Sequence, residues 1–285
     1  MEGIIPWFGA LIQNLCPRNP ELARRLLRLG YHAKNLQLKA APGKLNRAAQ
    51  QVAIETTTSI VRPLDHPDRA AMVSLFTPCE MLQVLGLYPY SCEGLGCFLA
   101  GTWAERAFLE YAEDEGLPET FCSYHKIFIG AAERGLMPKP RFIINTTLAC
   151  DANQLTFRRL AERYGVPRFT VDVPMGTSSA DLDYVADQLR AMGAFLEKCS
   201  GRRLDPERLR LAMERSRRTV EDYRRYLDGR ASCSRTEELS AEMFAVMALH
   251  PLLGTEESAR FAALLARETV ARPGPSAGKR ILWMH

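Results

Sequence analysis

Between Arg141 and Pro174 the chain reads RFIINTTLACDANQLTFRRLAERYGVPRFTVDVP. An apolar strand-length run, RFIINTT, enters a helical pattern, DANQLTFRRLAERYG, with Asp151 as its cap, and a second strand run, RFTVDVP, follows. Strands alternating with helices at this spacing imply parallel crossover units, and so a doubly wound α/β sheet of the Rossmann or flavodoxin type.

The same pattern extends upstream. AAMVSLF is a short apolar run of strand length, and TPCEMLQVLGL after it offers Thr77 as N-cap, Pro78 at the first helical position and Glu80 at the third, a capping box. YPYSCEGLGC reads as a loop leading to one amphipathic helix, FLAGTWAERAFLEYAEDEG, and a further helix is expected from Cys122 to about Arg134.

Four segments are expected. Residues 1–66 form an N-terminal helical segment, with PELARRLLRLGYHAKNLQLKA and KLNRAAQQVAIETTTSIV as its helices, and 67–177 form a Rossmann-like domain. Residues 178–272 read as helices alone: SADLDYVADQLRAMGAFLEKC, DPERLRLAMERSRRTVEDYRRYL, TEELSAEMFAVMALH and TEESARFAALLARETV, each behind an aspartate, serine or threonine cap. Residues 273–285 read as a proline and glycine linker and an apolar strand, which either adds to the existing sheet or, the favoured reading, opens a second α/β domain.

Composition narrows the function classes. With 47% apolar and 25% charged residues the chain is globular, and its surplus of four basic residues is spread through stretches such as RRLLRLG rather than gathered in the one-sided stripe that nucleic acid requires. The N-terminus lacks a basic leader and a small-residue cleavage site, and no apolar stretch reaches the roughly 18 residues of a spanning helix, so a cytoplasmic location is expected, with no nucleic acid and no membrane as partner. In that compartment eight cysteines are not a disulfide framework.

Two of them stand where chemistry is done. Cys150 follows a strand and precedes a helix, beyond the carboxyl end of the sheet where ligands of open α/β folds sit, and Cys122 opens another helix. Partial positive charge at a helix N-terminus favours thiolate, the form that binds metal, and His125 and Lys126 lie one turn on, as candidates to add positive potential. His125 is otherwise a surface or capping histidine. Cys16, Cys199 and Cys233 read as packing; Cys79, Cys92 and Cys97 match no full zinc pattern. Glu93, in the glycine-rich loop, is a candidate proton acceptor. Phosphate-loop, nucleophile-elbow and dinucleotide fingerprints are absent from the sequence.

FTPCEMLQVLGLYPY, CSYHKIFIGA, KPRFIINTTLACDANQLTFRRLA, VPRFTVDVP and DYVADQLRAM, in this order, resemble the 2-hydroxyacyl-CoA dehydratase family, in its D-component type, which also includes benzoyl-CoA reductase subunits and double-cubane cluster proteins. The resemblance implies two Rossmann-like domains joined by helices, and a four-iron four-sulfur (4Fe-4S) cluster with Cys122 and Cys150 among its ligands and Glu93 close to its open iron. The third protein ligand is expected from the second domain, which would begin at GKRILWMH. It further implies a lyase that removes water from an (R)-2-hydroxyacyl-CoA through a ketyl radical, after one electron arrives from an ATP-dependent iron–sulfur activator, working as a homo- or heterodimer with a related subunit. Two other functions fit the same residues: a benzoyl-CoA reductase-like or double-cubane-type ATP-dependent reductase, and a non-catalytic half that scaffolds or carries electrons for a partner subunit.

Overall fold

In the computed structural model, which describes residues 3–41, 43, 45–148, 150–230, 245, 247–270 and 274, the described residues form one four-stranded sheet. Its strands are β1 (Ala70–Val73), β2 (Tyr88–Ser91), β3 (Ile143–Thr146) and β4 (Arg168–Val171), all parallel and ordered β2-β1-β3-β4. Ala70 pairs with Tyr88, Met72 with Ile143, and Ile143 with Arg168. This is the expected α/β class.

Alternation along the strands separates two cores. Ala70, Met72, Tyr90 and Ile143 point to one face, and Ala71, Val73, Ile144 and Val171 to the other. On the first face lie α1 (Ile4–Leu15), α2 (Pro20–Ala40), α3 (Arg47–Asp65), α5 (Cys92–Gly101), α6 (Arg106–Asp114), α7 (Ser123–Glu133) and α8 (Ala152–Tyr164). Short α4 (Glu80–Val84) and α9 (Ser179–Ser200) cover the second through Leu82, Met192 and Leu196. A third cluster, with Ala48, Tyr226, Phe261 and Leu265, joins α3 to α10 (Pro206–Arg230) and α11 (Glu256–Val270). Both sheet faces are covered, which is why β1 and β3 are apolar or buried throughout.

Local chemistry explains the clearest boundaries. Ser178 and Asp181 form a reciprocal capping box at α9, Asp205 accepts from the amides of Glu207 and Arg208 at the start of α10, and Thr255 accepts from Ser258 at the start of α11. Gly165 ends α8 at φ 58°, the left-handed cap conformation in which a Cβ is strained.

Several expectations are corrected. The box at residues 77–80 does not form: α4 begins only at Glu80, without a side-chain cap, because the Thr77 hydroxyl pairs with Ser74 and donates to the Ile144 carbonyl while the Glu80 carboxylate accepts from Ser216 of α10. Asp151 occupies the N-cap position of α8 but makes no capping hydrogen bond. YPYSCEGLGC is a strand and the start of a helix rather than a loop, since parallel pairing with β1 satisfies the backbone of β2. The single helix expected after it is broken at Trp103, whose φ of 62° turns the chain between α5 and α6. The strand of residues 70–76 ends at Val73. Cys233, most of the helix expected over 236–250 and, except for Gly274, the linker and strand of 273–285 lie outside the described residues.

Strand order reverses between β1 and β3: the chain leaves β1 towards β2 on one side and returns to β3 on the other. A crevice is thereby left beyond their carboxyl ends, at the topological switch point.

Candidate metal centre

Hydroxyl groups close the sheet at that switch point. Ser74, directly after β1, takes its amide bond to the Ile144 carbonyl, and its Oγ accepts from the Thr146 amide at 3.2 Å and pairs with Thr77 at 3.0 Å. The chain ends of β1 and β3 are therefore held together by short hydroxyl side chains.

Glu93 stands in the first turn of α5. Its Oε2 accepts from the Leu75 amide at 3.1 Å and from the Ser91 hydroxyl at 3.0 Å, tying α5 to the end of β1. Burial pushes its carboxyl pKa above the ordinary value, against the smaller opposing effect of these hydrogen bonds.

Cys122 occupies the N-cap position of α7, and Cys150 lies just before α8; both are exposed. The fold brings them to one rim. Cys92, fully buried at the start of α5, has its thiol pKa pushed well above the ordinary value, first by burial and then by the negative charge of Glu93, Cys122 and Cys150. Cys150 lies against the first turn of α7, its sulfur 3.9 Å from His125, three residues after Cys122.

His125 sits at the centre of this group. Its Nδ1 is 2.9 Å from Thr156 Oγ1 and 3.8 Å from Cys92 Sγ, and its Nε2 is 3.9 Å from Cys150 Sγ. The residue is 2% exposed, so the surface or capping reading is corrected, and burial lowers its pKa to about 4, leaving the ring neutral near pH 7. Lys126 is committed to partners of its own. Its buried ammonium group turns to Glu113 Oε1 at 2.5 Å and the Glu119 carbonyl at 2.8 Å, anchoring the connection that carries Cys122.

The remaining thiols sort by burial. Cys16 and Cys79 are core residues, Cys16 with its pKa pushed to about 11 by burial, and Cys199 packs at the edge of the second core. Cys97 is half-buried, and burial raises its thiol pKa above the ordinary value. Sequence reasoning missed His125 and Cys92 as members of the group. A signal was present: the apolar run IFIGAA after His125 lets α7 bury every residue from His125 to Ala132, leaving the histidine no route to solvent.

Among the described residues no group of three or more His, Cys, Asp or Glu side chains could hold a metal ion. What the rim offers is a pair of exposed sulfur donors, soft ligands that fit two positions on an iron–sulfur cluster. Among the described residues no helix is long and apolar enough to cross a membrane.

A family model described as 2-hydroxyglutaryl-CoA dehydratase, D-component, matches residues 74–285, from the end of β1 onward, and so spans Glu93, Cys122, His125 and Cys150. A search of curated proteins returns no match.

Proposed function

This chain belongs to the 2-hydroxyglutaryl-CoA dehydratase D-component family, and from that premise we propose that it serves as a cluster-holding subunit of a dehydratase acting on (R)-2-hydroxyacyl-CoA. The observation that supports the reading is that Cys122 and Cys150 are exposed thiols at two helix starts, with the Cys150 sulfur 3.9 Å from His125 in the first turn of the helix that Cys122 caps. Cys122 and Cys150 would hold the cluster as thiolates. A four-iron four-sulfur cluster held there would supply reversible one-electron transfer to the thioester, fed by an ATP-dependent activator, and so would make the β proton acidic enough to remove.

The chain's own residues have simpler tasks. Glu93, held by Leu75 and Ser91 and raised in pKa by burial, is the proton acceptor at this rim. The neighbouring α5 and α7 backbones are close, since a Cβ on Gly96 would come within 2.9 Å of the Tyr124 carbonyl; that contact sets Glu93 and Cys122 on a common frame. A related subunit is the partner of this one, and the acyl-CoA substrate binds across the crevice.

Replacing Cys122 or Cys150 with serine, in protein purified anaerobically with its partner subunit, abolishes the brown chromophore and the bound iron, whereas Cys16→Ser leaves iron unchanged. Full iron in either of the first two variants removes the ligand assignment. Water loss from a hydroxyacyl-CoA without net electron consumption supports dehydration; stoichiometric electron consumption transfers the site to reductase chemistry.

A further inference from the structure

Cys150 has a polar neighbour that the cluster reading leaves unused. His125 Nε2 faces its sulfur at 3.9 Å, and His125 Nδ1 faces the Thr156 hydroxyl at 2.9 Å. The ring is 2% exposed and Thr156 is fully buried, so water does not compete for either nitrogen. His125 comes from α7, while Cys150 and Thr156 flank the first turn of α8.

A sulfur bound to iron carries no proton and only accepts hydrogen bonds. The imidazole nitrogen facing it therefore has to be the one bearing hydrogen, and a neutral ring with Nε2–H has a lone pair on Nδ1 for the Thr156 hydroxyl to donate into. With Nδ1–H instead, the Nε2 lone pair would confront the lone pairs of the sulfur. Metal ligation at Cys150 and the Thr156 hydroxyl thus select one tautomer.

We propose that His125 is a positioning residue for the centre: oriented by Thr156, it donates a fixed Nε2–H to Cys150 Sγ and raises the reduction potential of the cluster held there. The proposal rests on Cys150 being a cluster ligand. Its physical basis is that one added electron increases the negative charge on the cluster's sulfur atoms, so a buried dipole aimed at one of them stabilises the reduced form more than the oxidised one. Cys92, 3.8 Å from Nδ1, adds a second thiol beside the ring without displacing the shorter Thr156 contact.

The test uses the full chain reconstituted anaerobically with iron and sulfide, in 2-mercaptoethanol to fill iron positions that these cysteines do not, and titrated with dithionite while the reduced cluster is followed by electron paramagnetic resonance. His125→Leu is expected to keep its iron and shift the midpoint to lower potential. His125→Gln, whose amide nitrogen reaches the position of Nε2, returns it towards the wild-type value, and Thr156→Val lowers it. An unchanged midpoint in iron-loaded His125→Leu overturns the role of His125 and leaves the ligand reading standing. Should His125→Leu fail to fold, an unchanged midpoint in Thr156→Val overturns it equally. A wild-type chain that takes up no cluster overturns both the ligand reading and this proposal.

Discussion

The two halves of the Lys126–Glu113 pair are unequally buried, so deleting them should have unequal effects. The lysine side chain is 3% exposed and the glutamate 27%. Glu113→Ala leaves an ammonium group inside the protein with only the Glu119 carbonyl as partner, and stranding a buried charge costs about 3–5 kcal/mol; the surviving bond puts the value near the lower end, about 3 kcal/mol. Lys126→Met instead fills the space with apolar volume and leaves a carboxylate that water can reach, so the loss is that of one or two hydrogen bonds, about 1–2 kcal/mol. At roughly 3 °C per kcal/mol for a protein of this size, Glu113→Ala should melt about 9 °C below the wild type and Lys126→Met about 4 °C below it. Thermal unfolding followed by circular dichroism reads both shifts. The double variant should melt no lower than Glu113→Ala, because removing the ammonium group also removes its penalty. If Lys126→Met proves the more damaging, burial of the charge is not what makes the pair matter, and the reasoning fails.

The close approach of α6 and α7 predicts that Gly130→Ala, whose Cβ would fall 2.1 Å from the Phe108 carbonyl oxygen, forces the two helices apart and costs about 2 kcal/mol or more. Gly101→Ala meets nothing within 4 Å and serves as the control with an unchanged urea midpoint. For pH, burial lowers the His250 pKa below 6.5, outweighing the nearby charge of Glu80 and the hydrogen bond that the ring donates to the Phe76 backbone carbonyl. Between that lowered value and 6.5 the unfolded chain binds the extra proton and the folded one does not, so stability falls as pH falls below 6.5. His250→Gln should flatten the acid limb of the melting temperature against pH; an unaltered limb would assign the acid loss elsewhere.

Where one short-range signal and one burial pattern coincided, the fold was legible from residues alone. β3, α8 and β4 are legible as strand, helix and strand because apolar β-branched residues, a 3.6-residue period and a closing glycine all agree there. The ends of α9, α10 and α11 were legible for the same reason, through Ser178, Asp205 and Thr255. Failures came where a polar side chain had two possible partners. Thr77 and Glu80 have the spacing of a capping box, yet Ser74, Ile144 and Ser216, distant in sequence or newly juxtaposed, claim both of them. β2 escaped because a four-residue strand containing Pro89 owes its existence to pairing with β1.

Local sequence determined the class of the fold and the placing of Cys122 and Cys150 at helix starts, since capping and periodicity act over a few residues. Only the tertiary structure decided that the two helix starts share a rim with Cys92, that Glu93 is pinned to the end of β1, and that His125 lies between two thiols and a threonine hydroxyl. The reason is that strand order is not written in any one segment. It follows from which apolar faces can be covered at once, and it is the reversal between β1 and β3 that carries α5, α7 and α8 to the same end of the sheet.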